Sequence, residues 1–391
     1  MVQKSLIVLK LFVQNVVFGI QILLLHLGRL LARRCCRMKQ SRNLWVIGPM
    51  ETSNVVSSLA MAVPNAISVN LQLHRFYSNS YSYCYRTRFA AAVLGPLLLG
   101  HLSRKVSGFV YVGAGSFLTA STDFRSHEFR MLKKWGCRIV SFQTGSEIRS
   151  VEKLYAWGND AGVETVAHVI KETTSSEVLM RREHEVRRRA SVIDAWADLI
   201  FNSEIDQMSY LQSDFQPVFY LLPDEQFDYS TQKFHEISEV VICHAPSNPT
   251  LKGTKQIRDA VEQLKNEGCQ IKYIELINQS HDDVMRQLET THVVVNELFA
   301  MLPGVFAIEA MAKMCVVLTS ADWRHETNLV RDSKSPWIVS NRSNLYQNLK
   351  WCIHNKEKLL KQAQAGQEWA ITNASLSRNA DTLNRLLLAL Q

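Results

Sequence analysis

No CxxC pair occurs among the eight cysteines. Zinc-finger spacing and RNA-module signatures are missing as well, which removes structural zinc and nucleic acid as leading readings. Cys243 and Cys315 lie inside apolar, strand-like runs. Buried free thiols explain them better than a disulfide frame, as expected in a reducing compartment. Internal repeats and low-complexity tracts are absent, and so is the phosphate-loop order GxxxxGK(S/T). What is present is ordinary globular chemistry, with 47% hydrophobic and 20% charged residues, and this rules out a largely disordered chain. At 391 residues the chain exceeds one core, and about 150 residues per domain predicts two domains plus extras. A formal net charge of +8 favours anionic partners: acidic headgroups or phosphate-bearing substrates, ahead of nucleic acid.

Leu6 to Leu31 is mostly apolar and long enough for a bilayer crossing, which needs about 20 residues. Lys10, Gln14, Asn15, Gln21, His26 and Arg29 interrupt it. On a helix these six fall within roughly 160° of arc. The other side carries Leu9, Phe12, Val13, Val16, Ile20, Leu23, Leu24, Leu27 and Leu31. Such a helix is expected to lie in a membrane interface. A tilted spanning helix competes, because Ile7, Leu11, Phe18, Ile22 and Leu25 dilute the polar side. A helix packed on the protein's own core is the plain alternative. No small-residue cleavage site follows, which argues against a signal peptide. Arg29, Arg33, Arg34, Arg37 and Lys39 form a cluster that prefers anionic headgroups and the cytoplasmic side. Cys35 and Cys36 offer an acylation site, though two ordinary surface thiols are the plainer reading.

From Asn43 onward short apolar runs alternate with helical stretches. Strands are predicted at Leu44–Ile47, Phe109–Val112, Arg138–Phe142 and Leu199–Asn202. Helices are predicted over Asp123–Trp135, from Arg181–Arg189 into Asp194, and over Glu204–Leu211. The pattern breaks near Leu222-Pro223-Asp224 and then restarts. Strands follow at Glu239–Cys243, Gln270–Leu276, His292–Asn296 and Cys315–Thr319, with helices at Lys255–Asn266, His281–Glu289 and Val305–Lys313. Asn344–Ala365 and Ala380–Leu390 close the chain as helices. This succession implies parallel sheets covered on both faces. The expected class is α/β. Residues 1–40 form the anchor helix, 41–222 a first Rossmann-like doubly wound domain, and 223–391 a second. Both aim the loops beyond their strands' carboxyl ends into a shared cleft.

Two runs carry chemistry. In Val241-Ile-Cys-His-Ala-Pro-Ser-Asn-Pro-Thr-Leu-Lys-Gly-Thr254 a buried strand ends at His244, a polar loop follows, and Lys252 precedes a helix. Backbone N–H groups, a helix start and one lysine would meet there, as a diphosphate requires; a plain polar turn has the same spacing. In Gly304-Val-Phe-Ala-Ile-Glu-Ala-Met-Ala312 an acidic Glu309 sits on an otherwise apolar helix. A buried carboxylate there needs a partner, either a sugar hydroxyl pair or a structural cation. Gly113-Ala114-Gly115 is an incomplete dinucleotide fingerprint and reads as a tight turn. His74, His101 and His127 lack metal-ligand spacing, so no metal site is expected. Arg181-Arg182 and Arg187-Arg188-Arg189 read as a solvated helix face, with anionic lipid as the alternative.

Together the two runs resemble the nucleotide-sugar-binding domain of family 4-like GT-B glycosyltransferases of the bacterial cell-surface polysaccharide branch. The family patterns, roughly H-A-P-S-N-x-x-x-K-G-T and G-V-F-A-x-E-A-M-A, match here in order and spacing. The stretch Asp123–Arg149 is similar to that group's first domain. The resemblance implies GT-B architecture. It also implies transfer of a sugar from a UDP- or GDP-sugar to a lipid-linked or polysaccharide acceptor. Retention of configuration, no metal and no separate cofactor are its further expectations. It places Lys252 on the donor phosphates, with His244, Ser247, Asn248 and Gly253 shaping that loop. Glu309 would take the ribose, and Gly304, Val305 and Phe306 would bring helix N–H groups to the phosphates or sugar. Gly145, Glu147 and Arg149 would face acceptor or donor from the first domain, so Lys252, Glu309, Glu147 and Arg149 are the catalytic candidates. The implied setting is the cytoplasmic face of a bacterial inner membrane. One departure stands out. Relatives carry a first glutamate in an E-x7-E motif where this chain has Met301, and Glu297 lies nearby out of register. A catalytically silent GT-B scaffold and a GT-B sugar epimerase are therefore the competing readings.

Overall fold

The computed structural model describes residues 2–35, 43–327, 329 and 335–391. Cys36, Arg37 and Lys39 lie outside the described residues, as do the side chains of Leu6, Ile7, Leu9, Leu11, Arg34 and Cys35. A long helix α1 (Val2–Cys35) precedes β1 (Trp45–Gly48), α2 (Val55–Ala62), β2 (Ile67–Asn70), β3 (Tyr83–Cys84), α3 (Arg88–Leu102), β4 (Gly108–Val112) and α4 (Ser126–Lys134). Then come β5 (Arg138–Phe142), α5 (Val151–Ala161), α6 (Val166–Thr173), α7 (Ser176–Trp196), β6 (Leu199–Asn202) and β7 (Gln216–Pro217). These seven strands form one parallel sheet in the order β3-β2-β1-β4-β5-β6-β7. The second half runs β8 (Val240–His244), α8 (Pro249–Lys252), α9 (Thr254–Asn266), β9 (Ile271–Glu275), α10 (His281–Leu288) and β10 (Val293–Val295). It continues with α11 (Gly304–Ala312), β11 (Val316–Thr319), β12 (Ile338–Val339), α12 (Leu345–His354), α13 (Lys356–Ala374) and α14 (Leu376–Ala389). Its sheet, also parallel, has the order β12-β11-β10-β8-β9. Strands such as Val293-Val-Val295 are buried on both faces, as helix-covered parallel sheets require.

Four expectations are corrected. The helix predicted from Asp123 starts only at Ser126, because Phe124 and Arg125 hold left-handed backbones with φ of 55° and 77°. Glu204–Leu211 forms no helix. Its backbone groups are used elsewhere: Glu326 accepts the N–H groups of Glu204, Ile205 and Asp206, and Met208 gives its carbonyl to Ser150. The single helix predicted over Asn344–Ala365 breaks at Asn355, whose amide bonds the Trp351 carbonyl. Finally, α14 was expected within the second domain, but it crosses back onto the first. Leu383 and Leu387 pack with Val56 and Leu59, and Asn384 donates to the Ala62 carbonyl at 2.9 Å.

The domains also share apolar core. Leu154, Val166 and Ile170 of α5 and α6 pack with Val295, Leu298, Phe299 and Met301. The Val166 N–H donates to the Phe299 carbonyl at 2.9 Å.

Helix α1 is docked along α3. Gly28 and Gly100 sit at the crossing, where a Cβ on either would strike a carbonyl of the other helix, at Leu97 and Leu25. Three polar side chains of α1, Gln14, Gln21 and Arg29, turn inward, while Lys10, Asn15 and His26 are exposed. Gln21 bonds the Ala92 carbonyl and the Thr119 hydroxyl, both at 2.9 Å, and Arg29 bonds Ser103 Oγ at 2.8 Å. The apolar arc faces outward, with Phe12, Val13, Val16, Ile20, Leu23, Leu27, Leu30 and Leu31 exposed. Phe12–Arg33 is long and apolar enough to cross a membrane.

Candidate functional site

The second domain builds one wall of a cleft of about 330 Å³ between the sheets. Strand β8 ends at His244, and Asn248 caps the short α8 by accepting from the Leu251 N–H at 3.2 Å. Gly253, at φ 79°, adopts the left-handed turn that ends α8 and lets α9 begin. That turn delivers Lys252 to the cleft, where its Nζ lies 2.9 Å from Glu297 Oε2. Their side chains are 21% and 15% exposed, so the pair is largely shielded. Glu297 follows β10 in the loop that leads to α11. Gly304 opens α11 at the cleft. Its own N–H donates to the Tyr220 hydroxyl at 3.2 Å, leaving Val305 and Phe306 to supply the helix's open donors.

One turn further, Glu309 is 2% exposed and accepts from His281 Nε2 at 2.7 Å. Burial pulls the His281 imidazole down, but the hydrogen bond and charge of Glu309 outweigh it and hold the pKa above its ordinary value. The first domain closes over this pair. The Tyr77 ring packs on His281 at 4.9 Å, and the His281 N–H donates to the Phe76 carbonyl at 2.9 Å.

The opposite wall carries Thr52, Ser53, Gln143, Thr144, Arg149 and Gln207. Arg149 is paired to Asp206 at 2.6 Å, and the other Asp206 oxygen accepts from the Met301 N–H at 2.8 Å. Gln143 Oε1, Gln207 Oε1 and Asn296 Oδ1 are buried on the cleft without a partner among the described residues. Each is an acceptor left open for a hydroxyl donor.

The structure thus gathers Ser247, Lys252, Gly304, Val305, Phe306, Glu309 and Arg149 around one cavity. Five expected site residues, Gly145, Glu147, His244, Asn248 and Gly253, do not line it. His244 is fully buried beneath the loop: Nδ1 donates to the Val295 carbonyl at 2.7 Å and Nε2 accepts from the Thr254 hydroxyl at 2.9 Å. Burial pushes its pKa down to about 4, so it stays neutral and props the strand end. Glu147 does not line the cavity. Its carboxylate accepts from the Thr144 N–H and hydroxyl, which shapes the loop. Asn248 and Gly253 act through the geometry of α8. Met301 is 2% exposed inside the core, so its identity bears on packing and not on the cleft. Glu297, His281 and Tyr77 are the site residues that sequence reasoning missed or set aside. Among the described residues no three His, Cys, Asp or Glu side chains converge as a metal site needs.

No protein-family model matches the sequence, and no curated protein matches it. Solved structures do. HepE of Anabaena, in complex with UDP-glucose, aligns over 89% of this chain and 99% of its own, with a TM-score of 0.56 at 10% identity. Sucrose-phosphate synthase from Thermosynechococcus elongatus covers 89% and 98%, with a TM-score of 0.55 at 9% identity. WaaG, a glycosyltransferase involved in lipopolysaccharide biosynthesis, covers 88% and 99%, with a TM-score of 0.51 at 11% identity. At these identities the likeness is one of fold. The chain has the GT-B architecture of two parallel-sheet domains facing a cleft.

Proposed function

We propose that the chain is a glycosyltransferase. It takes a sugar from a UDP- or GDP-sugar and passes it to a lipid-linked or polysaccharide acceptor. The observation that carries this reading is the convergence of Lys252, the start of α11 and Glu309 on one cleft wall. A cation and open helix donors suit a diphosphate, and a buried carboxylate suits a ribose diol. As the glycosidic bond breaks, negative charge grows on the leaving diphosphate. Lys252 and the Val305 and Phe306 N–H groups are fixed in advance to stabilise it, which is commonly the largest catalytic contribution. Glu297 holds the Lys252 ammonium in place and lies where a sugar hydroxyl would reach it, the position left vacant in sequence by Met301. Gln143 and Gln207 present acceptor oxygens from the facing wall. In this reading transfer retains configuration and uses no metal.

The inside-out α1 supports a membrane site of action. A water-facing helix would turn Gln21 and Arg29 outward and its leucines inward. Here Gln21 and Arg29 turn inward and Phe12, Val16, Ile20, Leu23, Leu27 and Leu31 outward, so that apolar arc suits a bilayer interface, with exposed Lys10 and Arg33 at its flanks. Docking on α3 favours a helix lying on the membrane over one spanning it. The cytoplasmic face of a bacterial inner membrane would place the cleft beside a lipid-linked acceptor.

Thermal unfolding with UDP-, GDP-, ADP- and CMP-sugars tests the donor reading. A sugar at 100 times its dissociation constant adds about 2.7 kcal/mol of stability. If no nucleotide sugar raises the midpoint, the proposal fails. Labelled-sugar transfer then separates an enzyme from a silent scaffold, and release of free nucleotide without acceptor would indicate an epimerase.

A further inference from the structure

A second hollow, of about 410 Å³, lies on the first domain between α4 and the C-terminal half of α7. Arg130, Arg188, His127, Ser126, Ser191 and Trp196 line it. Neither guanidinium has an ion-pair partner among the described residues, and the one hydrogen bond of Arg130 is to His127 Nδ1 at 3.2 Å. A guanidinium can only donate, so Nδ1 accepts and the proton of the neutral ring sits on Nε2. That Nε2 is buried with no acceptor. The one carboxylate in the wall, Asp123, is already engaged: Oδ1 accepts from the Ser121 hydroxyl at 2.6 Å and Oδ2 from the His127 N–H at 2.8 Å. The wall therefore offers two cations without an ion-pair partner among the described residues, and two hydroxyls, against the one carboxylate of Asp123. This is a donor set that wants an anion.

The place of this hollow narrows the anion. His127 meets Phe18 of α1 edge to face at 5.9 Å, so the hollow adjoins the helix whose outward face is apolar. Trp196 adds an amphipathic ring of the kind that settles at a headgroup layer. We propose that this hollow binds the phosphate of an anionic lipid headgroup and so fixes how α1 lies on the bilayer. The proposal rests on the membrane reading above. Bound there, the lipid phosphate bridges Arg130 and Arg188, while the α1 leucines enter the acyl layer beside it. A free phosphate would meet the same donors but gain nothing from α1.

The full chain is co-sedimented with phosphatidylcholine vesicles and with mixed phosphatidylcholine–phosphatidylglycerol vesicles. The native chain should prefer the mixed vesicles. Each surface cation lost lowers such partitioning about fivefold, so R130Q/R188Q should lose roughly 25-fold on the mixed vesicles and keep its UDP affinity. K265Q/K272Q removes the same charge from the second domain and should keep the preference. An R130Q/R188Q variant that sediments like the native chain overturns the proposal, as does an equal loss in K265Q/K272Q. So does a midpoint rise with inorganic phosphate alone that matches the effect of mixed vesicles, which would make this a free-anion site. A native chain that ignores both vesicle types refutes the membrane reading itself. One that binds both equally refutes only the headgroup site.

Discussion

Replacing Lys252 with alanine should weaken binding of a nucleoside diphosphate and leave binding of the bare nucleoside unchanged. The lysine sits on the cleft wall with its ammonium 2.9 Å from Glu297 and only 21% exposed. A hydrogen bond to a charged group is worth about 1.5–3 kcal/mol, which converts to roughly 10- to 150-fold in dissociation constant. The upper part of that range is expected, because the variant also leaves the Glu297 carboxylate facing the incoming phosphates without its counter-charge. Titration calorimetry with UDP and with uridine reads the effect. The partner substitution has the opposite sign for binding. Glu297→Gln removes a negative charge beside the diphosphate and frees the lysine, so UDP should bind more tightly while sugar transfer slows. Unchanged UDP affinity in Lys252→Ala would refute the assignment of the phosphate site. An equal loss for uridine would show that the substitution damaged the fold instead.

The His281–Glu309 pair should make stability fall as pH rises. The folded pKa of His281 lies above its ordinary value, so the pair's contribution is complete below the unfolded pKa, about 6.5, and is lost as pH passes the folded value. Urea midpoints followed upward from pH 5 should decline, and His281→Asn should flatten that part of the curve; an identical slope in both proteins would count against the pair. Glu147→Ala leaves the Thr144 N–H without its partner and should cost about 1–3 kcal/mol of stability with UDP affinity kept; calorimetry showing a large affinity loss would return Glu147 to the binding site. Phe12→Asp combined with Leu23→Asp places charges on the outward arc of α1 and should release the chain from vesicles without lowering its melting midpoint. Sedimentation that persists would argue against that arc as the contact.

Much of the fold was legible because parallel strands buried on both faces are written as short apolar runs. Arg138–Phe142 and Leu199–Asn202 were read at their observed bounds. The errors lie where tertiary contacts override local pattern. Nothing near Glu204 announces that Glu326, far along the chain, will take three of its neighbouring N–H groups. Nothing local to the last helix says that it returns to α2. For α1 the polar arc picks out the inward Gln14, Gln21 and Arg29 together with the exposed Lys10, Asn15 and His26, and it leaves the orientation open. A stripe of polar residues reads alike whether it faces water or a protein's own carbonyls, and only the partners of Gln21 and Arg29 decide.

The site teaches the same lesson more sharply through Met301 and Glu297. Counting residues back from Glu309 finds methionine where an acid is expected, and by spacing alone that looks like lost function. Spacing stands in for position only while the loop between β10 and α11 keeps one path. Here the Met301 backbone is drawn to Asp206 and its side chain enters the interdomain core. The stretch before it therefore runs along the cleft instead. Glu297 meets Lys252 there, and a Cβ on Gly304 would lie 3.4 Å from its carboxylate. In the proposed function the acid is Glu297, four residues earlier and on the cleft wall beside Lys252. If this is right, Glu297→Gln should slow sugar transfer far more than Met301→Glu accelerates it. Indeed Met301→Glu should destabilise the chain, because it buries an unpaired carboxylate in an apolar core. A Met301→Glu protein that folds normally and transfers faster would show that the register, and not the loop path, sets the chemistry.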